Sequence, residues 1–325
     1  MEKELQAALA AAVAAARVCQ RVQDTLLPQE VALKPDRSPV TVADFGAQAV
    51  INHVLGAAFP EIPVVGEEHA GALRSQGELR RQVVEAVASV LPDLGEAEAL
   101  AAIDRGDFGG GSERRFWAVD PIDGTKGFLR REQYAVAIAL VEGGEVVLGV
   151  LACPALPWVL SAAEPVGCVL AATRGTGAWM QRLDGGPRER VRVAAEVDPR
   201  RAILCESVEA EHSSHTTSAE VARRLGVTAA PVRMDSQCKY ALLARGDASV
   251  YLRLPTRADY REKIWDHAAG AILVEEAGGR VTDIHGRPLD FARGRTLAGN
   301  RGVIATNGHL HDAVLAAVGE VLGGF

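Results

Sequence analysis

The residues best suited to chemistry lie in residues 117–127 (WAVDPIDGTKG), where an apolar run ends in two aspartates. Asp120 and Asp123 lie three positions apart. Two carboxylates this close repel each other, and each is costly to remove from water. A divalent cation removes both penalties, and hard oxygen ligands favour magnesium over softer metals. The segment therefore predicts a magnesium site at the end of a buried strand.

The turn after this strand is suited to a bound phosphate. Pro121 restricts the backbone so that both aspartates can point to one side. Gly124 lets the backbone come close to a phosphate, and the amides after it form an anion cradle. A capped β-turn is the alternative without function, because Asp and Gly are common in turns. An aspartyl-phosphate phosphatase is a second alternative, but its motif separates the acids by two positions, so the spacing here favours metal-activated water.

Apolar periodicity predicts the elements that must position this segment. Helices are expected at residues 5–22 and 44–59. Residues 71–114 are polar and glycine-rich, which predicts a mobile excursion with a helical middle. Beyond a turn at 184–187, apolar strands alternate with helices, which is typical of an α/β half. Strands before that turn are expected at residues 62–65, 116–119, 134–141, 146–152, 166–172 and 177–183.

Composition and net charge indicate which kinds of molecule the protein could bind. The chain has 325 residues, of which 48% are hydrophobic and 24% charged, as in an ordinary globular protein of one large or two fused domains. A net charge of −7 argues against a nucleic acid polymer as partner, because binding many phosphates needs a basic surface. A small phosphorylated substrate remains compatible with this charge. The protein is expected to be a monomer or a homodimer.

The spacing of the cysteines and the N-terminal residues indicate the cellular compartment in which the protein is expected. Five cysteines lie far apart without a CxxC pair, which excludes the usual zinc spacings and suggests a reducing compartment. A regulatory disulfide between Cys153 and Cys168 is left open. Glu2 and Glu4 occupy what would be the basic region of a signal peptide, and no apolar run is long enough to span a bilayer. A cytoplasmic protein is expected, or one in a plastid or mitochondrion if a presequence is missing.

Residues 117–127 resemble the signature of the inositol monophosphatase superfamily of magnesium-dependent, lithium-sensitive phosphatases. Three further segments agree with it in family order, namely 41–44 (TVAD), 64–68 (VVGEE) and 264–270 (IWDHAAG). Read singly, these acids could be helix caps or a solvated loop acid. When the four segments are taken together, the resemblance implies that Asp44 activates the water molecule that attacks the phosphate. It also implies that two or three Mg²⁺ ions are held by Glu67, Asp120, Asp123, Asp266 and the carbonyl of Ile122.

Within the superfamily, the chain is similar to the 3′(2′),5′-bisphosphate nucleotidases of the eukaryotic and plant-like type. The similarity lies in residues 124–130, 212–215, 235–240, 251–255 and 260–263. It implies that Lys239 and Arg253 bind a second phosphate, with a hydrogen bond from Ser236. It implies that His212 lies against the adenine, with His215 as the alternative. The remaining substrate contacts are assigned to Gly124, Thr125 and Asp266.

The expected reaction removes the 3′-phosphate of 3′-phosphoadenosine 5′-phosphate, a by-product of sulfotransfer, to give AMP and phosphate. The 5′-phosphosulfate form is a further candidate substrate. Asp44, relayed through the Thr125 hydroxyl, is expected to accept the proton of the attacking water. An inositol polyphosphate 1-phosphatase is the alternative enzyme. A non-catalytic nucleotide-binding sensor is the alternative of another class, and it is disfavoured because every expected ligand position is filled.

The resemblance also implies a fold. It is a layered α-β-α-β-α sandwich, with an N-terminal α+β part at residues 1–190 and a C-terminal α/β part at 191–325. The site is expected between the two parts, with Asp266 as the C-terminal contribution.

Overall fold

Helices and strands alternate along the chain, and the computed structural model describes them over residues 1–25, 32–33, 39–160, 167–208, 215–255, 257 and 259–323. The described residues form the α-helices α1 (Glu2–Thr25), α2 (Val42–Ala58), α3 (Gly71–Ser75), α4 (Gly77–Ala88), α5 (Glu96–Asp104), α6 (Thr125–Leu129), α7 (His215–Leu225), α8 (Cys238–Ala244), α9 (Ala268–Glu276) and α10 (His311–Val321). No helix among them combines the length and apolar character needed to cross a bilayer.

The same residues form three sheets. The strands are β1 (Ala32–Leu33), β2 (Pro39–Val40), β3 (Val64–Gly66), β4 (Phe116–Asp123), β5 (Ala135–Glu142), β6 (Glu145–Cys153), β7 (Cys168–Thr173), β8 (Gly177–Arg182), β9 (Glu189–Arg190), β10 (Leu204–Glu206), β11 (Val232–Arg233), β12 (Val250–Arg253), β13 (Arg280–Thr282) and β14 (Val303–Thr306). The largest sheet has the order β3-β4-β5-β6-β7-β8-β9, and the next has β11-β10-β12-β14-β13. A two-stranded ribbon pairs β1 with β2.

The outer layer on the seven-stranded sheet consists of α1 and α2, which pack on each other and on its strands. Their contact faces carry the apolar residues that helical spacing predicted. Leu5, Leu9 and Val22 of α1 are buried, as are Phe45 and Leu55 of α2. Alanines fill much of the rest of the buried face of α1. Small side chains let two helices approach closely and still exclude water.

The middle layer consists of α8 and α9, which contact strands of both larger sheets. Every residue of α8 is buried, and so are residues 268–274 of α9. A helix that is apolar all round cannot face water on either side, so it is stable only between two layers. The apolar run AAGAILV therefore explains why the two sheets enclose α9.

The five-stranded sheet carries α7 and α10 on its other face, where Val221, Val314 and Val318 join its apolar side chains in one core. The layers therefore run α-β-α-β-α, and the predicted sandwich is confirmed. The strands of the seven-stranded sheet end at Arg190, and those of the five-stranded sheet begin at Leu204. A domain division at residue 190 stays a prediction, and one core joins both sheets through α8 and α9.

Residues 71–114 differ from the excursion that their polarity predicted. They contain three helices, and two of these, α4 and α5, pack on α2. Leu73, Val87 and Ile103 are fully buried in the same core as α1 and α2. Few apolar residues suffice here because α4 and α5 each present one narrow apolar face to α2, while α3 contacts α4. The average polarity of the segment hid this face.

All five cysteines are buried free thiols. Cys153 and Cys168 lie directly opposite each other on β6 and β7. Hydrogen bonding to Cys168 and Cys238, together with burial, raises the pKa of the Cys153 thiol.

Candidate active site

Two neighbouring parallel strands bring Glu67 and Asp120 together. Strands β3 and β4 run parallel, with Gly66 opposite Val119. The next residue on each strand therefore reaches the same edge of the sheet. The two side chains also interact by a hydrogen bond that favours the protonated form of Asp120.

A break in the regularity of β4 turns Asp120 and Asp123 to the same side. On a regular strand, residues three apart face opposite sides of the sheet. Here Asp120 pairs with Ala137 and Asp123 pairs with Ala135, so three steps on β4 match two steps on β5. The additional residue makes a β-bulge. The bulge contains Pro121, which has no N–H to give to the ladder.

Four carboxylates converge at this edge. Burial, with the charges of Glu67 and Asp123, raises the pKa of Asp120 well above its usual value. Burial and the charges of Asp123 and Glu67 do the same to the pKa of Asp266. Burial also raises the pKa of Asp123, although Lys239 opposes this. Such a cluster can bind a metal ion, because a cation relieves the repulsion and the loss of hydration together.

Asp44 uses its two carboxylate oxygens for different purposes. Oδ2 accepts from the backbone N–H and the hydroxyl of Thr41, each at 2.7 Å, which completes a capping box at the start of α2. Oδ1 accepts from the Thr125 hydroxyl at 3.3 Å. The same hydroxyl lies 3.3 Å from the carbonyl of Ile122. The cap and the contact with the candidate site were alternatives in the sequence, and the structure contains both.

Gly124, in the turn after β4, lies close to Ser236, in the loop before α8. Gly124 has a φ of 87°, and a Cβ there would lie 2.9 Å from the Cβ of Ser236. Ser236 itself has a φ of 65°, which is unfavourable for a residue other than glycine. The backbone N–H of Gln237 donates to Oδ2 of Asp123 at 2.5 Å. The hydrogen bond from Gln237 to Asp123 thus holds Ser236 beside the acidic cluster despite its strained backbone.

A cationic region lies at the carboxyl ends of β11 and β12. Lys239 is only 3% exposed, its Nζ donates to the carbonyl of Met234 at 3.1 Å, and burial lowers its pKa. The same ammonium lies 5.3 Å from the ring centre of Tyr251. Arg253 is 14% exposed, and its Nε lies 3.2 Å from each carboxylate oxygen of Glu262. Both cations are therefore held rigidly.

Glu262 belongs to a buried hydrogen-bonded chain. Burial alone would raise its pKa, but Arg253 and His267 outweigh this and hold the pKa at about 2. His267 Nε2 donates to the carboxylate of Glu262 at 3.2 Å, and the Tyr240 hydroxyl is hydrogen-bonded to His267 Nδ1 at 2.7 Å. Ligand atoms of Glu262, His267 and Asp266 lie within 4.8 Å of one another, a spacing that could hold a metal ion. Glu262 and His267 are hydrogen-bonded to each other and to Arg253 and Tyr240. Asp266 is therefore the one of these three residues that also belongs to the acidic cluster.

Arg295 connects the two segments that end in Glu67 and Asp266. Its guanidinium donates to three backbone carbonyls, those of Gly66, Gly106 (3.2 Å) and Phe108 (3.0 Å). It also lies 4.8 Å from the ring centre of Trp265, the residue before Asp266. One side chain therefore ties the end of β3 to the segment before α9.

One cavity of about 730 Å³ collects most of the predicted site residues, which are Glu67, Asp120, Ile122, Asp123, Gly124, Thr125, Ser236, Lys239, Arg253 and Asp266. Asp44 is fully buried behind Thr125. His215 Nε2 donates to the backbone carbonyl of Ser207 at 2.9 Å. His212 lies outside the described residues. Its contact with a base stays a prediction, as do the roles of the residues that line the cavity.

Comparison with known proteins identifies the family. The model of the inositol monophosphatase family matches residues 1–322. The chain belongs to the inositol monophosphatase family. It is 45% identical to a 3′(2′),5′-bisphosphate nucleotidase of Oryza sativa, over 98% of this chain and 94% of that protein. It is 47% identical to 3′(2′),5′-bisphosphate nucleotidase 1 of Arabidopsis thaliana, over 98% of this chain and 96% of that protein.

Solved structures of the inositol monophosphatase family share the fold. The chain superimposes on an IMPase of Thermotoga maritima with a TM-score of 0.68, over 99% of this chain and 98% of that chain. Sequence identity in this pair is 23%, so the structural similarity supports the shared layered fold and no statement about activity.

Sequence reasoning missed three residues that organise the site. Glu262 and His267 stood inside segments that carried the family resemblance, but no role was assigned to them. The signal that could have assigned them a role was the presence of a carboxylate (Glu262) and an imidazole (His267) within four positions of Asp266 in the sequence. Arg295 had no local signal, because it lies in a loop remote from every motif and acts on backbone carbonyls.

Proposed function

We propose that this protein is a magnesium-dependent 3′(2′),5′-bisphosphate nucleotidase. It hydrolyses the 3′-phosphate of 3′-phosphoadenosine 5′-phosphate to AMP and phosphate, and accepts the 5′-phosphosulfate form as a second substrate. The observation that carries the proposal is one cavity lined both by the acidic cluster of Asp120 and by Lys239 and Arg253. A bisphosphate presents two anionic groups, one for metal ions at the acidic cluster and one for these cations. Relatives at 45% and 47% identity bear this enzyme name.

The donor set of the acidic cluster fits magnesium. Oxygen atoms of Glu67, Asp120, Asp123, Asp266 and the Ile122 carbonyl are all hard ligands. The raised pKa values of Asp120 and Asp266 indicate carboxylates that a cation would stabilise. We propose two or three Mg²⁺ ions at these ligands. When bound, the ions would supply Lewis acidity and neutralise charge on the phosphate.

Thr125 and Asp44 handle the proton of the attacking water. The Thr125 hydroxyl donates to Asp44 Oδ1 at 3.3 Å, which leaves Oγ1 free to accept a second hydrogen bond. As the water attacks phosphorus, Thr125 Oγ1 takes its proton while the hydroxyl proton passes to Asp44 Oδ1. The capping box holds the other oxygen of Asp44, so Oδ1 stays directed at Thr125.

Lys239, Arg253 and Ser236 bind the 5′-phosphate in this proposal. Arg253 offers a planar fork of N–H donors, and Lys239 offers a compact charge that burial keeps from water. The strained backbone of Ser236 places its hydroxyl group beside the turn at Gly124. His212 contacts the adenine, with His215 as the alternative.

The proposal is tested by measuring phosphate release from 3′-phosphoadenosine 5′-phosphate with and without magnesium, and by identifying the nucleotide product. We expect magnesium-dependent release that leaves AMP. Asp120→Asn should remove turnover while circular dichroism shows an intact fold. Turnover of an inositol bisphosphate without turnover of the nucleotide would overturn the substrate assignment. Tight nucleotide binding with magnesium present but without hydrolysis would instead identify a sensor.

A further inference from the structure

A chain of hydrogen-bonded side chains connects the middle helical layer to the cationic region, and it consists of Tyr240, His267, Glu262 and Arg253. Tyr240 lies on α8, and His267 directly precedes α9. Glu262 is 6% exposed and His267 is 1% exposed. Each link is a hydrogen bond: 2.7 Å from Tyr240 to His267, 3.2 Å from His267 to Glu262, and 3.2 Å from Arg253 Nε to Glu262. A buried polar chain with every link made is rigid.

Glu262 orients the guanidinium of Arg253 through one particular nitrogen. Both oxygens of Glu262 lie 3.2 Å from Nε. A guanidinium is planar, so fixing Nε fixes the plane in which the terminal NH₂ groups are presented to an incoming phosphate. Arg253 lines the cavity and is itself only 14% exposed. Glu262 therefore sets the plane of the guanidinium, and the side chain of Tyr260 is a further hydrogen-bond partner of Arg253.

Several contacts keep Glu262 in place. Its carbonyl accepts from the backbone N–H of Leu297 at 2.8 Å. A carboxylate can only accept, so His267 presents Nε2–H to it, and the hydrogen bond between Nδ1 and the Tyr240 hydroxyl fixes the ring on its other side. Gly270 makes room for the Tyr240 ring, since a Cβ at that position would lie 2.2 Å from the ring.

The acidic cluster offers Arg253 a competing partner. The charge of Asp266 acts on Arg253, and ligand atoms of Asp266 and Glu262 lie within 4.8 Å of each other. A buried guanidinium that loses its partner seeks another anion, because an unpaired buried charge is costly. Without Glu262, Arg253 would turn towards Asp266 and away from the position in which it could receive a second phosphate.

We propose that Glu262 is a positioning residue that holds Arg253 as the receptor for the second phosphate, and so determines the preference for a bisphosphate over a monophosphate. This inference rests on the proposed function. Glu262 acts through Arg253 and needs no contact with the substrate.

The test compares kcat/KM for 3′-phosphoadenosine 5′-phosphate with kcat/KM for adenosine 3′-phosphate, which lacks the second phosphate. The ratio of the two isolates the second-phosphate contact from the chemistry that both substrates share. We expect Glu262→Ala to lower this ratio about 10- to 100-fold, mainly through KM of the bisphosphate, as loss of a charged hydrogen bond implies. Glu262→Gln keeps an acceptor for Nε but loses the charge, so its ratio should fall less, by about 3- to 10-fold.

Glu206→Ala is the matched control. Glu206 is also 6% exposed and pairs with an arginine, Arg233, at 3.0 Å, but neither residue lines the cavity. Its ratio should equal that of the wild type, while its melting temperature falls by less than that of Glu262→Ala, because Arg233 is 57% exposed and Arg253 only 14%. If Glu262→Ala does not fold, Glu262→Gln carries the test.

Equal loss on both substrates, in folded Glu262 variants, would overturn the inference. Arg253→Ala separates this failure from failure of the proposed function. If Arg253→Ala lowers the ratio and the Glu262 variants do not, the second-phosphate site stands and the positioning role is wrong. If Arg253→Ala leaves the wild-type ratio unchanged, the assignment of Arg253 in the proposed function is wrong, and the inference fails with it.

Discussion

Removing the Arg295 side chain should loosen the acidic cluster without touching any carboxylate. The guanidinium donates to the carbonyls of Gly66, Gly106 and Phe108, and it covers the face of Trp265. Each hydrogen bond from a charged donor stabilises by about 1.5–3 kcal/mol when buried. Arg295 is part-exposed and water can replace some of these bonds, so we expect Arg295→Ala to lower the free energy of unfolding by about 2–4 kcal/mol in total.

The same change should weaken magnesium binding, because Arg295 ties the segment before Glu67 to the segment before Asp266. Loss of a group that orients metal ligands usually lowers metal affinity by about 10- to 100-fold. Titrating turnover against magnesium should show that shift, and saturating magnesium should recover most of kcat. Arg293→Ala is the control, since Arg293 is 63% exposed and pairs with Asp290 on the surface. A magnesium dependence in Arg295→Ala equal to that of the wild type would refute the reasoning.

Three further predictions concern other parts of the structure. Thr41→Ala should lower the free energy of unfolding by about 1 kcal/mol through loss of the helix cap, which urea unfolding measures. Asp44→Asn should give folded protein without turnover, which phosphate release measures. Gly124→Ala should cost at least about 1–2 kcal/mol, because φ is 87° and the new Cβ would lie 2.9 Å from Ser236, and a wild-type melting temperature would contradict this. Burial lowers the pKa of His311 from 6.5 to about 4. The unfolded chain therefore binds the proton first, and stability present above pH 6.5 should fall by about 2–3 kcal/mol as the pH drops towards 4. Urea unfolding of His311→Gln at pH 7 and pH 5 should show a smaller difference than the wild type.

Local sequence was enough to predict the elements around the acidic cluster. The helices at α1 and α2 and the hairpin of β5 and β6 follow directly from apolar periodicity and turn residues. Residues 71–114 show the limit of this reasoning. Their helices are stabilised by one narrow face against α2, and an average over a polar segment cannot reveal such a face.

The sequence by itself indicated the chemistry, because it places Asp120 and Asp123 next to a proline and a glycine, and a cation would relieve the repulsion between acids this close. Residue type and spacing carry that information because ligand chemistry is local. The tertiary structure alone decided which oxygen of Asp44 caps α2 and which meets Thr125. It also decided that Glu262 orients Arg253 and that Arg295 spans the site. These contacts join residues far apart in the chain, and their partners are selected by the layering of two sheets around α8 and α9 rather than by any neighbour in sequence.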